Sequence, residues 1–248
     1  MLEKEQKIPK IIHCCWFGKN PMPKLAKDCI DSWKKYCPDY KIKIWSEKNF
    51  DINSNRFTKE AYQNKKWAFV TDYVRLHALY NEGGIYMDTD VEVVKNLDKF
   101  LKNSAFSGFE DFTTIPTGIM ASEKKHNWIK LLLNEYENKH FVVNGVLDTT
   151  PNTQLITKIT KKNYPIKLNN TMQKFEDGLC IFPKEFFCPI SYKDNKLNFT
   201  KNTHTIHHFA GSWMSKKERF LMWIKKNIIN KYFKFLEKPL TNLYRKLK

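Results

Sequence analysis

The 248-residue sequence contains few of the residues that break regular structure, with only 8 glycines and 10 prolines. This scarcity excludes collagen-like and low-complexity chains and favours regular helices and strands. No apolar run approaches the ~20 residues that a membrane-spanning helix needs. The start, MLEKEQKIPK, is charged and lacks the apolar segment of a secretory leader. We therefore expect a globular chain with neither a leader nor a membrane span.

The six cysteines form no metal-binding or disulfide pattern. None is spaced C-x-x-C, and Cys14 and Cys15 are adjacent. We interpret all six as reduced, mostly buried thiols. Since reduced thiols are typical of the cytoplasm, we expect a cytoplasmic protein.

Negative charge is also scarce, since 26 Asp and Glu stand against 43 Lys and Arg, for a formal net charge of +17. Such a balance indicates a polyanionic partner: nucleic acid, an anionic membrane or a phosphorylated substrate. Residues 216–248 hold eleven Lys or Arg against two Glu, a net of +9. We expect a basic helical extension there that docks on an anionic membrane, or that packs on the domain with its basic face in solvent. Its apolar stripe at helical spacing is Phe220, Ile224, Ile228, Tyr232 and Phe235.

Strand and helix patterns alternate in the first half of the chain. Residues 7–18 and 40–47 predict strands, 24–38 and 58–82 predict helices, and 85–94 predicts the next strand. This order indicates an α/β fold with parallel strands. The pattern is less regular beyond it, with strands expected in 104–110, 117–122, 179–190 and 204–213 and helices in 126–139 and 151–162.

Two carboxylates one residue apart mark the segment NEGGIYMDTDVEVV, residues 81–94. On a strand, Asp88 and Asp90 point to one face, and at a strand's end they reach into one site. Carboxylates this close repel each other unless a cation lies between them. Mg²⁺ and Mn²⁺ are typically bound by one or two carboxylates plus substrate phosphates. Because ligands of open α/β sheets bind at the carboxyl ends of strands, the pair predicts a metal site.

Asp72 and Arg75 lie three residues apart on the preceding helix and share one of its faces. Both interrupt an otherwise apolar stretch, so one interpretation is a local ion pair at the edge of the core. Next to a metal-binding pair, a functional interpretation gains weight. An aspartate accepts hydrogen bonds from sugar hydroxyls, and an arginine holds a phosphate or orients that carboxylate.

The string AFVTDYVRLHALYNEGGIYMDTDVEVV resembles the core of the family 32 glycosyltransferases. That family includes initiating mannosyltransferases of the yeast type and bacterial capsular polysaccharide transferases, and the glucosylating domain of the large clostridial toxins is a distant relative. Its pattern, S/T-D-x-x-R followed by G-G-x-Y-x-D-x-D, is present in full. The first strand, IPKIIHCCW, and the closing segment, HHFAGSWM, are also similar to the family's ends. The matching residues of the core are Thr71, Asp72, Arg75, Gly83, Gly84, Tyr86, Asp88 and Asp90.

This resemblance implies a GT-A fold, the Rossmann-like nucleotide-sugar-binding type, over residues 1–215. It further implies Mn²⁺ or Mg²⁺, a nucleotide-sugar donor and retention of the anomeric configuration. A UDP-hexose is the expected donor, and guanosine diphosphate mannose is the alternative. The expected acceptor is a glycan or lipid-linked oligosaccharide of capsular or surface polysaccharide synthesis, with the enzyme peripheral at the inner face of the membrane.

The resemblance also implies roles for individual residues. Trp16 matches the aromatic that stacks on the donor base, and Trp213 matches a lid tryptophan, with simple packing as the alternative for both. Asp72, Arg75, Tyr86 and Asp88 match donor-binding positions, and Asp90 matches the direct metal ligand. His208 is expected to complete the metal sphere with Asp88 and Asp90, while His207 is expected to face the other way on its strand. Asn152 and Gln154 are expected to contact the sugar, with a helix cap as the alternative.

Two other classes of protein remain as alternatives. Phosphohydrolases of the haloacid-dehalogenase type also carry D-x-D after an apolar strand and would use Asp88 as a nucleophile, but their later acidic pair has no clear counterpart here. A basic, non-enzymatic nucleic-acid-binding protein is suggested by the charge alone, and no recognised nucleic-acid motif supports it. Because no second carboxylate is placed to act as a nucleophile, same-face attack by the acceptor hydroxyl is the expected mechanism.

Overall fold

The computed structural model describes residues 5–115, 118–191 and 196–211, together with Leu221 and Ile224. Trp213 and, apart from those two residues, the predicted extension 216–248 lie outside the described residues. The helices are α1 Lys24–Tyr36, α2 Arg56–Gln63, α3 Trp67–Glu82, α4 Asn127–Asn134, α5 Asn152–Asn163 and α6 Lys184–Phe187. The strands are β1 Ile11–Cys15, β2 Lys41–Trp45, β3 Gly84–Met87, β4 Val91–Val93, β5 Ala105–Gly108, β6 Ile119–Ser122, β7 Val142–Val143, β8 Val146–Leu147, β9 Gln173–Lys174, β10 Leu179–Phe182 and β11 Thr205–His207.

A mixed sheet in the order β2-β1-β3-β6-β5-β10-β9 forms the centre of the described chain. Strands β2, β1 and β3 are parallel, as the sequence predicts. Strand β6 runs antiparallel between β3 and β5, and β10 is parallel to β5. The predicted α/β class is therefore confirmed, while the expectation of parallel strands holds for the first half only.

Both faces of this sheet are covered, which explains why its strands read as nearly continuous apolar runs. Side chains alternate between the faces, so Ile12 and Cys14 pack with Trp33 of α1. Cys15 and Val74 belong to the core on the other face, where α3, α4 and α5 pack. Two apolar layers thus fix the sheet, and with it the positions of the loops at the strand ends.

The six cysteines are all buried and unpaired, which confirms the predicted burial. Burial raises the pKa of Cys14 to about 12, and the nearby Asp88 carboxylate adds to that rise. A thiol that stays protonated is a poor nucleophile and a poor metal ligand. Among the described residues, no helix is both long and apolar enough to cross a membrane.

The structure differs from the sequence-based expectation at two points in these regions. The helix expected over 58–82 is broken between α2 and α3, where Lys65 adopts a left-handed backbone (φ 56°) that ends a helix. The hairpin β7–β8 was not expected. Its turn, Asn144 and Gly145, has positive φ at both residues, as a two-residue hairpin requires.

Candidate functional site

The D-x-D pair lies in a tight turn at the carboxyl end of β3. The Asp88 N–H donates to the Gly118 carbonyl (2.9 Å), and the Val91 N–H donates to the Asp88 carbonyl (3.0 Å). The strand expected over 85–94 is therefore two strands, because this turn leads the chain from the central sheet into the separate β4–β11 ribbon. The edge outside the carboxyl ends of strands is where open α/β sheets bind ligands.

Arg75 on α3 links two carboxylates from within the protein. Its terminal nitrogen lies 3.0 Å from Oδ1 of Asp72 and 3.6 Å from Oδ1 of Asp88, and only 5% of the side chain is exposed. Its guanidinium lies 4.7 Å from the ring centroid of Tyr86, whose hydroxyl donates to Asp88 at 2.8 Å. The ion pair of Asp72 and Arg75 is thus continuous with the D-x-D turn and is not a separate feature at the core edge.

The carboxyl group of Asp72 is almost completely removed from water. Burial raises its pKa to about 7, Arg75 opposes that rise, and Asp88 adds to it. The side-chain amide of Asn152 donates to Asp72 Oδ1 at 3.0 Å, and the Tyr136 hydroxyl donates to the Asn152 amide oxygen at 3.3 Å. Near neutral pH this carboxyl group is therefore present in both protonation states, so it can accept or donate a hydrogen bond.

Asn152 is the first residue of α5, but it does not cap the helix. The N-cap is Pro151, which offers no side-chain cap bond, and the Asn152 amide is directed at Asp72 instead. Asp72 and Asn152 form part of the wall of a cavity of about 340 Å³. Other polar residues of its lining are Gln154, Lys139, Asp148 and Lys158.

Asp90 lies next to a histidine, but that histidine is His207 and not the predicted His208. His207 Nε2 is 3.4 Å from Asp90 Oδ1, and possible ligand atoms of Asp88, Asp90 and His207 all lie within 4.8 Å of one another. The His208 ring lies 2.9 Å from Glu92 instead. The His208 backbone N–H pairs with the Asp90 carbonyl (3.0 Å), so its side chain leaves the turn on the side of β4, away from the place that the sequence predicted for it.

The charges of Asp90 and His207 stabilise each other. Burial alone would raise the pKa of Asp90, but the His207 imidazolium and the Ala210 N–H (2.8 Å) hold it at about 2. Burial likewise opposes protonation of His207, yet the Asp90 carboxylate raises its pKa well above the usual value. The Nδ1 atom of His207 is buried and has no hydrogen-bond partner among the described residues. A methyl group at Gly118 would lie 2.8 Å from that ring, so glycine is needed there.

Trp16 directly follows the carboxyl end of β1, the neighbour of β3. Its ring is partly exposed, and its indole N–H donates to the Asn20 carbonyl at 2.6 Å. Trp16 is therefore not a core residue, and its proposed role of stacking on the donor base stays a prediction. Trp213 lies outside the described residues, so its role as a lid tryptophan stays a prediction.

Glu110, in the loop after β5, also belongs to this neighbourhood. Burial raises its pKa, His207 opposes the rise, and Asp111 and Asp88 add to it. Sequence reasoning missed Glu110 because no motif includes it and only the pairing of β5 with β6 brings its loop near the turn. Lys139 and Lys158, which line the cavity, were also missed, because no motif includes them.

One family model matches part of this chain. Residues 23–107 match the model of the family described as a glycosyltransferase sugar-binding region containing a DXD motif. The match includes Asp72, Arg75, Asp88 and Asp90. Together with the mixed α/β sheet, it confirms the predicted GT-A type of fold and the resemblance to the DXD-containing glycosyltransferases of family 32.

Curated relatives match about half of the chain. Lactosylceramide 4-alpha-galactosyltransferase of Mus musculus is 30% identical over 132 residues, which are 52% of this chain and 34% of that protein. Inositol phosphoceramide mannosyltransferase 3 of Schizosaccharomyces pombe is 30% identical over 130 residues, 49% of this chain and 35% of that protein. The chain thus spans about a third of the length of the curated relatives it matches.

Two solved structures resemble parts of the chain at low identity. The PaToxG glycosyltransferase has a TM-score of 0.46 and 20% identity, covering 64% of this chain and 70% of that one. A glycosyltransferase involved in glycosylation of the major capsid of PBCV-1 has a TM-score of 0.44 and 14% identity, covering 85% of this chain and 97% of that one.

Proposed function

We propose that this protein is a retaining hexosyltransferase that uses a nucleotide diphosphate sugar, most simply a UDP-hexose, and a divalent cation. The observation that carries the proposal is the convergence of Asp72, Arg75, Asp88 and Asp90 on one edge of the sheet, inside the segment that matches the family. The names of the relatives, which specify lactosylceramide and inositol phosphoceramide, favour a lipid-linked acceptor. We keep a capsular or surface glycan as the expected product class.

The residues around the turn fit a divalent cation. Two carboxylates and an imidazole offer oxygen and nitrogen donors within one small volume, which suits Mn²⁺ and, with phosphate oxygens, Mg²⁺. His207 Nε2, 3.4 Å from Asp90 Oδ1, supports this, because that nitrogen lies beside the carboxylates that would share the cation. We assign Asp88, Asp90 and His207 as the holders, replacing His208. A cation bound there would stabilise the negative charge that develops on a departing diphosphate.

The remaining groups position the sugar and the phosphates. Arg75 is always charged, and its link to Asp72 and Asp88 holds both carboxylates in place. Asp72 and Asn152 present a carboxyl group and an amide to the adjoining cavity, where sugar hydroxyls would find an acceptor and a donor. Gln154 borders the same cavity. Trp16 stays our proposed platform for the base, and Tyr86 orients Asp88 through its hydroxyl.

The transfer itself breaks the bond between the anomeric carbon and the phosphate oxygen and forms a bond from that carbon to the acceptor oxygen. In same-face attack, the acceptor hydroxyl passes its proton to the departing phosphate oxygen, so the configuration is retained. Glu110 lies in the neighbourhood of this site, and burial raises its pKa. Same-face attack needs no nucleophile from the protein, so it assigns Glu110 no covalent role.

Proton NMR of reactions with a panel of nucleotide sugars tests the proposal. We expect slow hydrolysis of at least one donor, release of the anomer that the donor carries, and loss of activity in EDTA. Asp90→Asn should lower turnover by roughly 10²-fold or more, the scale of lost electrostatic stabilisation. The matched control is Asp28→Asn, whose carboxylate pairs with the exposed Lys24 on the surface. An inverted product, or full activity of Asp90→Asn, contradicts the assignment.

A further inference from the structure

The hairpin β7–β8 projects an apolar tip from the protein. Val143 and Val146 face each other across its two strands and are 52% and 70% exposed. Gly145 lies between them in the turn, where an added methyl group would meet nothing within 4 Å. Single exposed valines are common on protein surfaces, but a cross-strand pair at a projecting tip is a small continuous apolar surface.

The base of the hairpin is fixed, so the direction of the tip is set by the core. The Glu60 carboxylate of α2 accepts the backbone N–H groups of Phe141 (2.8 Å) and Val142 (2.9 Å). Phe141 is fully buried and packs edge-on against Phe57, with ring centroids 5.5 Å apart. Because the stem is anchored at both the backbone and a side chain, the valines are held in their exposed position.

The same stem forms part of the cavity that Asp72 and Asn152 border. Lys139, just before the hairpin, pairs with Asp148, just after it, at 2.6 Å, and both residues line the cavity. Lys158 of α5 lines it as well. The apolar tip therefore projects from a stem that borders a cavity whose lining includes two lysines, Lys139 and Lys158, and two aspartates, Asp72 and Asp148.

We propose that this hairpin inserts Val143 and Val146 into the interfacial region of an anionic bilayer and thereby sets the cavity at the level of the lipid headgroups. The inference rests on the lipid-linked acceptor of the proposed function. Its own support is charge and shape: residues 141–147 contain no acidic side chain, and of the net charge of +17 a net of +8 lies outside residues 216–248. Apolar side chains in the interface and nearby lysines both strengthen binding to anionic lipid.

A fluorescent label at the tip tests the insertion directly. Since the six natural cysteines are buried, a thiol-reactive, polarity-sensitive dye can be placed on the full chain as Val146→Cys. The matched control is Met172→Cys, another exposed apolar position (58%), before β9. Both proteins are titrated with vesicles of phosphatidylcholine alone and of phosphatidylcholine with phosphatidylglycerol. We expect a blue shift with anionic vesicles at position 146 and none at 172.

A double variant, Val143→Ser with Val146→Ser, gives the second measurement. Its binding to anionic vesicles should weaken by about ten-fold, because two partly inserted apolar side chains are lost. The proposal is overturned if the protein does not bind vesicles, or if it binds them without a blue shift of the label at position 146. An equal shift at position 172, or a double variant that binds as tightly as the natural protein, overturns it as well. Donor hydrolysis in water should be unchanged in the double variant. Failure of that hydrolysis in the natural protein would count against the proposed function, while the label would still report on insertion.

Discussion

We propose His207, and not His208, as the histidine of the cation site, and a pair of neighbouring substitutions tests this assignment. His207→Ala removes a buried imidazole that lies 3.4 Å from Asp90. His208→Ala removes a ring that pairs with Glu92, where the side chains are 29% and 40% exposed. The two changes delete the same group one residue apart, so they separate ligation from a general effect on the end of β11.

The expected magnitudes follow from these surroundings. Loss of one of three donors should lower Mn²⁺ affinity by at least about 100-fold, since losing a hydrogen-bond partner of a ligand already costs 10- to 100-fold. Loss of His208 should change it by no more than about 3-fold, because exposed pairs are worth little. A bound cation must also displace the proton that Asp90 holds on His207. In the natural protein affinity should therefore rise with pH, and His207→Ala should flatten that rise.

Titration calorimetry with Mn²⁺ between pH 5.5 and 8 measures both effects, and donor hydrolysis under saturating Mn²⁺ measures their consequence. Thermal unfolding without metal serves as the folding control for each variant. If His208→Ala lowers Mn²⁺ affinity as much as His207→Ala, or if only His208→Ala does, the site as we describe it is wrong. Equal, unchanged affinity in both variants would remove histidine from the site altogether.

Two further predictions concern carboxyl groups with shifted pKa values. Asp72→Asn should reduce turnover by roughly 10²-fold, while the melting temperature at pH 7 should stay within a few degrees. Because the pKa of Asp72 is about 7, the fold already tolerates a neutral group at this position. A large loss of stability with full activity would support a purely structural ion pair. Glu60 has its pKa held at about 2 by backbone N–H donors and Arg56, against the effect of burial, so its contribution to stability is present above pH ~4.5 and is lost as the pH falls toward 2. In urea unfolding, Glu60→Gln should be less stable than the natural protein at pH 7 and about equally stable near pH 2, and a difference that persists at pH 2 would contradict this.

Local patterns predicted the first half of the fold because its elements are strongly marked. Helix α1 and strands β1 and β2 lie inside the segments expected for them, since apolar periodicity reports directly which face is buried. The break between α2 and α3 was missed because apolar spacing continues across it, and only the backbone of Lys65 reveals the interruption. The antiparallel course of β6 was equally hidden, since strand direction depends on long-range pairing and not on composition.

The site was predictable where its residues are close in sequence. Asp72, Arg75 and Asp88 fall within one short segment, and helix periodicity and the D-x-D spacing placed them correctly beside one another. The histidine lies more than a hundred residues further on, so its orientation depends on how β11 pairs with β4. Alternation along a strand decided that His207 and His208 face opposite ways, but not which of them faces the turn.

The environments of the carboxyl groups suggest a division of labour between them. Buried ionic clusters add little to stability compared with well-packed apolar side chains, so the linked Asp72, Arg75 and Asp88 are better explained by positioning than by folding. Asp90, with a pKa of about 2, stays ionised at any physiological pH and suits a cation. Asp72, with a pKa of about 7, exchanges a proton and suits the hydroxyls of a sugar. Carboxyl groups whose pKa values are shifted in opposite directions are typical of a site in which each has its own task.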